Sequence, residues 1–70
     1  MPADAVTVQP PKHPLHALAT FELRDYRRQL ELAIAFFDIQ DPVPPVRDDL
    51  QARLDDVTAE QDSRTRASRA

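Results

Sequence analysis

The sequence contains no glycine, and this absence limits the folds that the chain can form. Two-stranded hairpins use glycine in their tightest turns, and phosphate-binding loops use it where the backbone approaches a ligand closely. Two helices joined by a proline-rich loop need neither feature. The chain has 70 residues and seven prolines, so at most one small core can form. The composition therefore favours a small helical protein.

The residue types that carry most catalytic and metal chemistry are absent or isolated. Cysteine is missing, which excludes a disulfide scaffold, a cysteine zinc site and a thiol nucleophile. His13 and His16 have the spacing of paired ligands on a helix, but no third ligand lies near them in the sequence. No hydroxyl nucleophile has a motif around it. We therefore predict no catalytic residue, no metal, no cofactor and no small-molecule substrate.

The sequence gives no indication of a membrane or secreted protein. No apolar run reaches the length of about 18 residues that a spanning helix needs, and residues 1–11 lack the pattern of a secretory signal. A cytoplasmic location is the expectation. Eight arginines against one lysine, with abundant alanine, aspartate and proline, indicate a GC-rich coding sequence and a bacterial source.

Residues 1–13 are predicted to form a disordered, proline-rich N-terminal tail, because Pro2, Pro10 and Pro11 lie among small and polar residues. A helical hairpin is predicted for residues 14–66. Residues 67–70 are predicted to be a frayed, basic C-terminus.

The first helix is predicted at about residues 20–39. Thr20 is the expected N-cap, and Glu22 then lies in the first turn, where the helix dipole favours a carboxylate. Apolar side chains recur at helical spacing. They are Leu23, Tyr26, Leu30, Ala33, Ile34 and Phe37. This stripe predicts the buried face of the helix.

A proline loop at residues 41–45 ends the first helix, and a second helix is predicted at about residues 45–64. Its apolar stripe consists of Val46, Leu50, Leu54 and Val57. Acidic residues precede basic ones by four positions, which is the favourable orientation on a helix. These pairs are Asp49–Arg53, Glu60–Arg64 and Asp62–Arg66.

The two helices have matching lengths and a short connection, which predicts antiparallel neighbours. Folding the chain about Val43 sets three arginines of the first helix level with three acids of the second. The arginines are Arg24, Arg27 and Arg28, and the acids are Asp55, Asp56 and Glu60. The predicted fold is therefore all-α, an antiparallel two-helix hairpin.

A second apolar stripe on the first helix is the predicted interface. Leu32, Phe36 and Ile39 follow one another at steps of four and three residues, to one side of the first stripe. The second helix is too poor in apolar residues to cover both stripes. We therefore expect two hairpins to form a homodimeric four-helix bundle. A larger protein partner that binds the same face is the alternative.

These features predict a small, acidic, non-enzymatic protein-interaction or oligomerisation module with a regulatory or accessory role. An alternative is a nucleic-acid-associated regulator, since an arginine-rich end of the hairpin could contact phosphates despite the net charge of −3. The candidate phosphate-contacting residues are Arg24, Arg27, Arg28, Arg64 and Arg66. Nucleic acid is the less favoured partner, because no aromatic residue lies between the arginines and no recognition-helix turn is visible.

Overall fold

The computed structural model describes residues 8–69. Within that range the chain forms a short 3-10 turn at Leu15–Ala17 and two α-helices, α1 at Thr20–Asp38 and α2 at Val46–Arg69. No strand occurs among these residues. The prediction of an all-helical fold built on a two-helix hairpin is confirmed.

The helices run antiparallel, as two contacts between them show. Arg27 Nη1 donates a hydrogen bond of 2.7 Å to Gln61 Oε1, and Arg47 Nε donates one of 2.7 Å to Asp38 Oδ1. The midpoints of both pairs fall at residues 42–44, so the chain reverses direction around Val43, where the sequence predicted the fold point.

The N-terminus of α1 differs from the prediction by one residue. Ala19, not Thr20, is the N-cap, and Thr20 is the first helical residue. Glu22 stabilises this end by accepting a hydrogen bond of 2.9 Å at Oε1 from the backbone N–H of Ala19. An alanine methyl group cannot accept a hydrogen bond, so the first turn depends on Glu22 and on water.

Helix α2 continues beyond its predicted end at about residue 64 and runs to Arg69. The predicted frayed segment, residues 67–70, is thus helical up to Arg69, and Ala70 lies outside the described residues. The predicted pair of Glu60 and Arg64 is present at 2.9 Å. Alanine and arginine have high helix propensity, and Arg66 and Arg69 in the last turn complement the helix dipole. These local contributions extend the helix without tertiary packing.

The core lies between the helices and follows the predicted stripes closely. On α1 the buried residues are Leu23, Tyr26, Leu30, Ala33 and Ile34, and on α2 they are Leu50 and Val57. Phe37 and Leu54 are partly buried against them. Val46 is exposed, contrary to its place in the predicted stripe. The position that would lie opposite Val46 comes after Asp38 in the chain, and α1 has already ended there.

Residues 8–19 form an extended arm that packs on the hairpin, and we refer to them as the arm. Val8 and Leu18 are buried in the core, and Leu15 is partly buried against it. The predicted disordered tail covered residues 1–13. Residues 1–7 lie outside the described residues, but from Val8 onward the chain is packed. Because α2 supplies only a few large apolar residues, apolar side chains of the arm complete the core.

Two arginines of α2 bind the arm through its backbone. Arg53 Nη1 donates to the carbonyl oxygen of Val8 at 3.5 Å. Arg64 Nη2 donates to the carbonyl oxygens of Leu15 at 3.2 Å and His16 at 3.4 Å. The Leu15 carbonyl also accepts a hydrogen bond of 3.1 Å from the backbone N–H of Leu18, so Arg64 adds a second donor to the turn and ties it to α2.

Candidate interaction surface

The outer patch, which consists of Leu32, Phe36 and Ile39, is exposed on α1. The three residues are 62%, 38% and 79% exposed, respectively. They are the predicted interface residues, and the hairpin leaves all three accessible to solvent. At about 100° per residue, the centre of the outer patch lies about 140° around α1 from the centre of the buried stripe.

Phe36 connects the outer patch to the core. Its ring centroid lies 5.3 Å from that of Phe37, and the planes are inclined by 78°, which is an edge-to-face pair. Phe37 itself packs against the core. The Phe36 ring is therefore held in position by an aromatic partner, unlike a side chain that is free to rotate in solvent.

Three further large apolar side chains are exposed, and none of them was predicted to be. Phe21 is 60% exposed at the start of α1, and Val43 and Val46 are exposed at the loop. Phe21 precedes Leu32 by eleven residues and Ile39 by eighteen, which are close to three and five helical turns. Extending the helical spacing of the outer patch by three turns would have found it.

The two ends of the hairpin carry opposite charge. We call residues 30–57 the loop end, and they contain seven acids and two arginines. We call residues 14–29 and 58–69 the open end, and they contain six arginines and four acids. The molecule measures 45 × 20 × 14 Å, so this separation of charge extends along its longest dimension. The outer patch lies at the acidic loop end.

Two of the five arginines proposed to contact phosphate are already bound within the chain. Arg27 donates to Gln61 and lies 3.7 Å from the carboxylate of Glu31. Arg64 binds Glu60 and two carbonyls of the arm. The other three, Arg24, Arg28 and Arg66, are exposed.

The predicted alignment of α1 arginines with α2 acids is not realised in the side-chain contacts. Among the described residues, the salt bridges are Arg27–Glu31, Arg47–Asp38 and Arg64–Glu60. Glu60 binds within its own helix, where a partner four residues away is closer than any across the hairpin. Arg27 reaches α2 but meets the neutral side chain of Gln61.

Two open clefts flank the arm and the open end. One, of about 430 Å³, lies between the helices and is lined in part by Arg27, Arg64 and Thr20. The other, of about 360 Å³, lies between the arm and α1, where Tyr26 and His13 contribute to its walls. No group of three or more metal-ligating side chains occurs within residues 8–69. His13 and His16 are both exposed.

Comparison of the chain with protein-family models, with curated proteins and with solved structures gave no match. Neither α1 nor α2 has the length and apolar character that a membrane-crossing helix requires. The surface chemistry of the hairpin is therefore the basis for assigning a function.

Proposed function

We propose that this protein is a small non-enzymatic interaction module that acts in the bacterial cytoplasm as a regulatory or accessory protein. It binds a protein partner, a second copy of this chain or a larger protein, by burying the outer patch. The observation that carries this proposal is the exposure of Leu32, Phe36 and Ile39 on one face of α1. Contiguous exposed apolar side chains with a polar surround are typical of binding surfaces.

The arm strengthens the case that the outer patch serves binding and not folding. Val8 and Leu18 complete the core. The hairpin therefore has no structural need for a cover over the outer patch. An apolar surface on which Leu32 and Ile39 are more than 60% exposed in the folded monomer, and which favours aggregation, is retained most simply because a partner binds it.

The test compares Leu32→Asp with a matched control, Ala52→Asp, which introduces the same charge at an exposed position of α2. Leu32 is preferred to Phe36 because the Phe36 ring also contacts Phe37. Self-association is measured by sedimentation velocity over a micromolar concentration series. Capture of other proteins is measured with the immobilised chain in a lysate of the native host.

We expect Leu32→Asp to abolish association in whichever assay the wild-type chain shows it, while Ala52→Asp behaves like the wild type. Circular dichroism should show the same helix content for both variants. If the wild type neither self-associates nor captures a protein in a Leu32-dependent way, the proposal is wrong.

A nucleic-acid-associated regulator is the second candidate, and the charge of the open end is the observation that favours it. Arg24 and Arg28 are exposed there on α1. Binding through phosphates would weaken steeply as salt is added, whereas apolar docking would hardly change. A gel shift with mixed DNA and RNA at low salt that is lost in Arg24→Gln/Arg28→Gln would support this candidate. The absence of any shift would exclude it.

A further inference from the structure

We infer that the occupant of the outer patch is a second copy of this chain, bound with the two α1 helices antiparallel. This inference rests on the proposed function and specifies its partner and geometry. Its first support is a continuous seam along α1, which we call the outer seam. The residues of the seam are Phe21, Asp25, Arg28, Leu32, Ala35 and Ile39. All six are exposed.

The outer seam has the spacing of a helix–helix interface. Its residues alternate at steps of four and three, which is the seven-residue repeat by which one helix packs along another. Four of the six residues are apolar, and Phe36 flanks them. The seam extends over nineteen residues, so it offers a contact along nearly the whole of α1 (Thr20–Asp38) and its C-cap, Ile39.

The distribution of charge along α1 selects the antiparallel orientation. The N-terminal half of the helix carries Arg24, Arg27 and Arg28 against the acids Glu22 and Asp25, and the C-terminal half carries Glu31 and Asp38 with no basic residue. Antiparallel pairing brings the basic half of each copy beside the acidic half of the other. Parallel pairing would bring arginines beside arginines and acids beside acids, which is unfavourable.

The apolar residues and the charges together select the register, that is, which residues of the two α1 helices lie opposite each other. When Phe21 lies opposite Ile39 of the second copy, the two-fold axis passes near Leu30, and all the apolar residues of the seam are covered. A shorter overlap, with Leu32 opposite Ile39 of the second copy, leaves Phe21 exposed. It also moves the acidic loop ends toward each other. The longer overlap is therefore favoured, because it covers the apolar residues and keeps the acidic loop ends apart.

The resulting assembly differs in shape from a square bundle. Because the outer seam lies on the side of α1 away from the core, α2 and the second copy bind opposite sides of α1. The four helices then form one layer, with the two α1 helices in the middle. The four large exposed side chains offer roughly 400 Å² per copy, about half of a standard interface, so we expect a reversible dimer with micromolar affinity.

Cysteine crosslinking tests the geometry directly, since the natural chain contains no cysteine. Asp25 and Ala35 are exposed seam residues that lie opposite each other in the proposed register. A mixture of Asp25→Cys and Ala35→Cys chains should give a crosslinked heterodimer under mild oxidation or with a short thiol crosslinker. Each variant alone should give little product, because identical positions lie about 15 Å apart along the axis.

Charge reversal provides the second test. Arg24→Glu/Arg28→Glu should weaken self-association by about tenfold or more at low salt, because glutamates then meet Glu31 and Asp38 of the second copy. The matched control is Arg66→Glu/Arg69→Glu, which makes the same charge change on α2 and should alter the affinity by less than about twofold.

The outcomes separate this inference from the proposed function. Self-association with efficient crosslinking of Asp25→Cys to itself would indicate parallel helices and overturn the inference while the docking proposal stands. Capture of a different protein through Leu32 by a monomeric chain would also overturn the inference and leave the docking proposal standing. A monomer that captures nothing would overturn both.

Discussion

Arg47 Nε lies 2.7 Å from Asp38 Oδ1, and this contact joins the last residue of α1 to the second residue of α2. Arg47 Nη2 also lies 3.4 Å from Asp38 Oδ2, so the guanidinium binds both carboxylate oxygens. The hydrogen bond to Asp38 raises the pKa of Arg47 above its usual value. The pair closes the loop with a contact of defined geometry between the two helix ends.

Removing this contact should have a small effect on stability. Asp38→Asn is expected to lower the free energy of unfolding by about 0.5–1 kcal/mol, since the pair is exposed to solvent and screened. The loss should shrink in high salt. Urea unfolding followed by circular dichroism measures it. Asp41→Asn is the control, because Asp41 takes part in none of the salt bridges of residues 8–69. Equal losses in the two variants would show that the pairing itself contributes nothing.

Two leucines on one helix should differ sharply in their importance for the monomer. Leu30 is fully buried and Leu32 is exposed. Leu30→Ala should lower the free energy of unfolding by about 2–5 kcal/mol, because it leaves a cavity between the helices. Leu32→Ala should stay within about 0.5 kcal/mol of the wild type at a concentration where the chain is monomeric. Thermal or urea unfolding decides this, and similar losses at both positions would contradict the assigned core.

Attachment of the arm should depend on Arg64. Arg64→Gln removes the donor that binds the carbonyls of Leu15 and His16, whereas Arg66→Gln makes the same charge change at an exposed residue. Lys12 is the sole lysine, so a lysine-specific protease cuts the chain once, within the arm. Cleavage of a folded protein requires local opening. A loss of about 1 kcal/mol of arm stability would make Arg64→Gln cleave about fivefold faster than Arg66→Gln. Equal rates would show that the hydrogen bonds of Arg64 do not retain the arm.

The aromatic pair formed by Phe36 of the outer patch and Phe37 should contribute to monomer stability. Phe36→Leu keeps an apolar side chain but removes the edge-to-face contact with Phe37. We expect a loss of about 0.5–1.5 kcal/mol in the free energy of unfolding. Phe21→Leu makes the same replacement at an exposed residue and should be nearly neutral. If both variants unfold alike at low protein concentration, Phe36 is not held by Phe37.

The hairpin itself was predictable because its determinants are local. The α1 stripe repeats at helical spacing from Leu23 to Phe37, and Pro42, Pro44 and Pro45 mark the break between helices. The end of α2 contains Ser63, Thr65 and Ser68, and the predicted end at about residue 64 fell short of Arg69. The pairing of Glu60 with Arg64, together with the basic last turn, outweighs their weaker helix propensity.

The arm could not be predicted, because its contacts are distant in the sequence and lack periodicity. Val8 meets Arg53 across 45 residues, and the prolines around it are typical of disordered segments. The one available signal was the shortage of large apolar residues on α2, which was interpreted only as a sign of association. It also indicated that another part of the chain completes the core.

Only part of the candidate site was predicted from the sequence. The positions of Leu32, Phe36 and Ile39 identified an exposed stripe, and all three are exposed in the structure. The predicted stripe did not extend to Phe21, which is exposed three helical turns before Leu32. Including Phe21 gives the seam a direction nearly opposite the core.

The arm also has a consequence for the order in which the chain folds. The hairpin closes a loop of a few residues, whereas Arg64 binds Leu15 across 49 residues. Contacts of large sequence separation form late, because the chain loses more entropy before they contribute any stability. We therefore expect the helices to pair first and the arm to dock last. During that interval the open side of the core, which Val8 and Leu18 later cover, is the part of the nascent protein most exposed to misassembly.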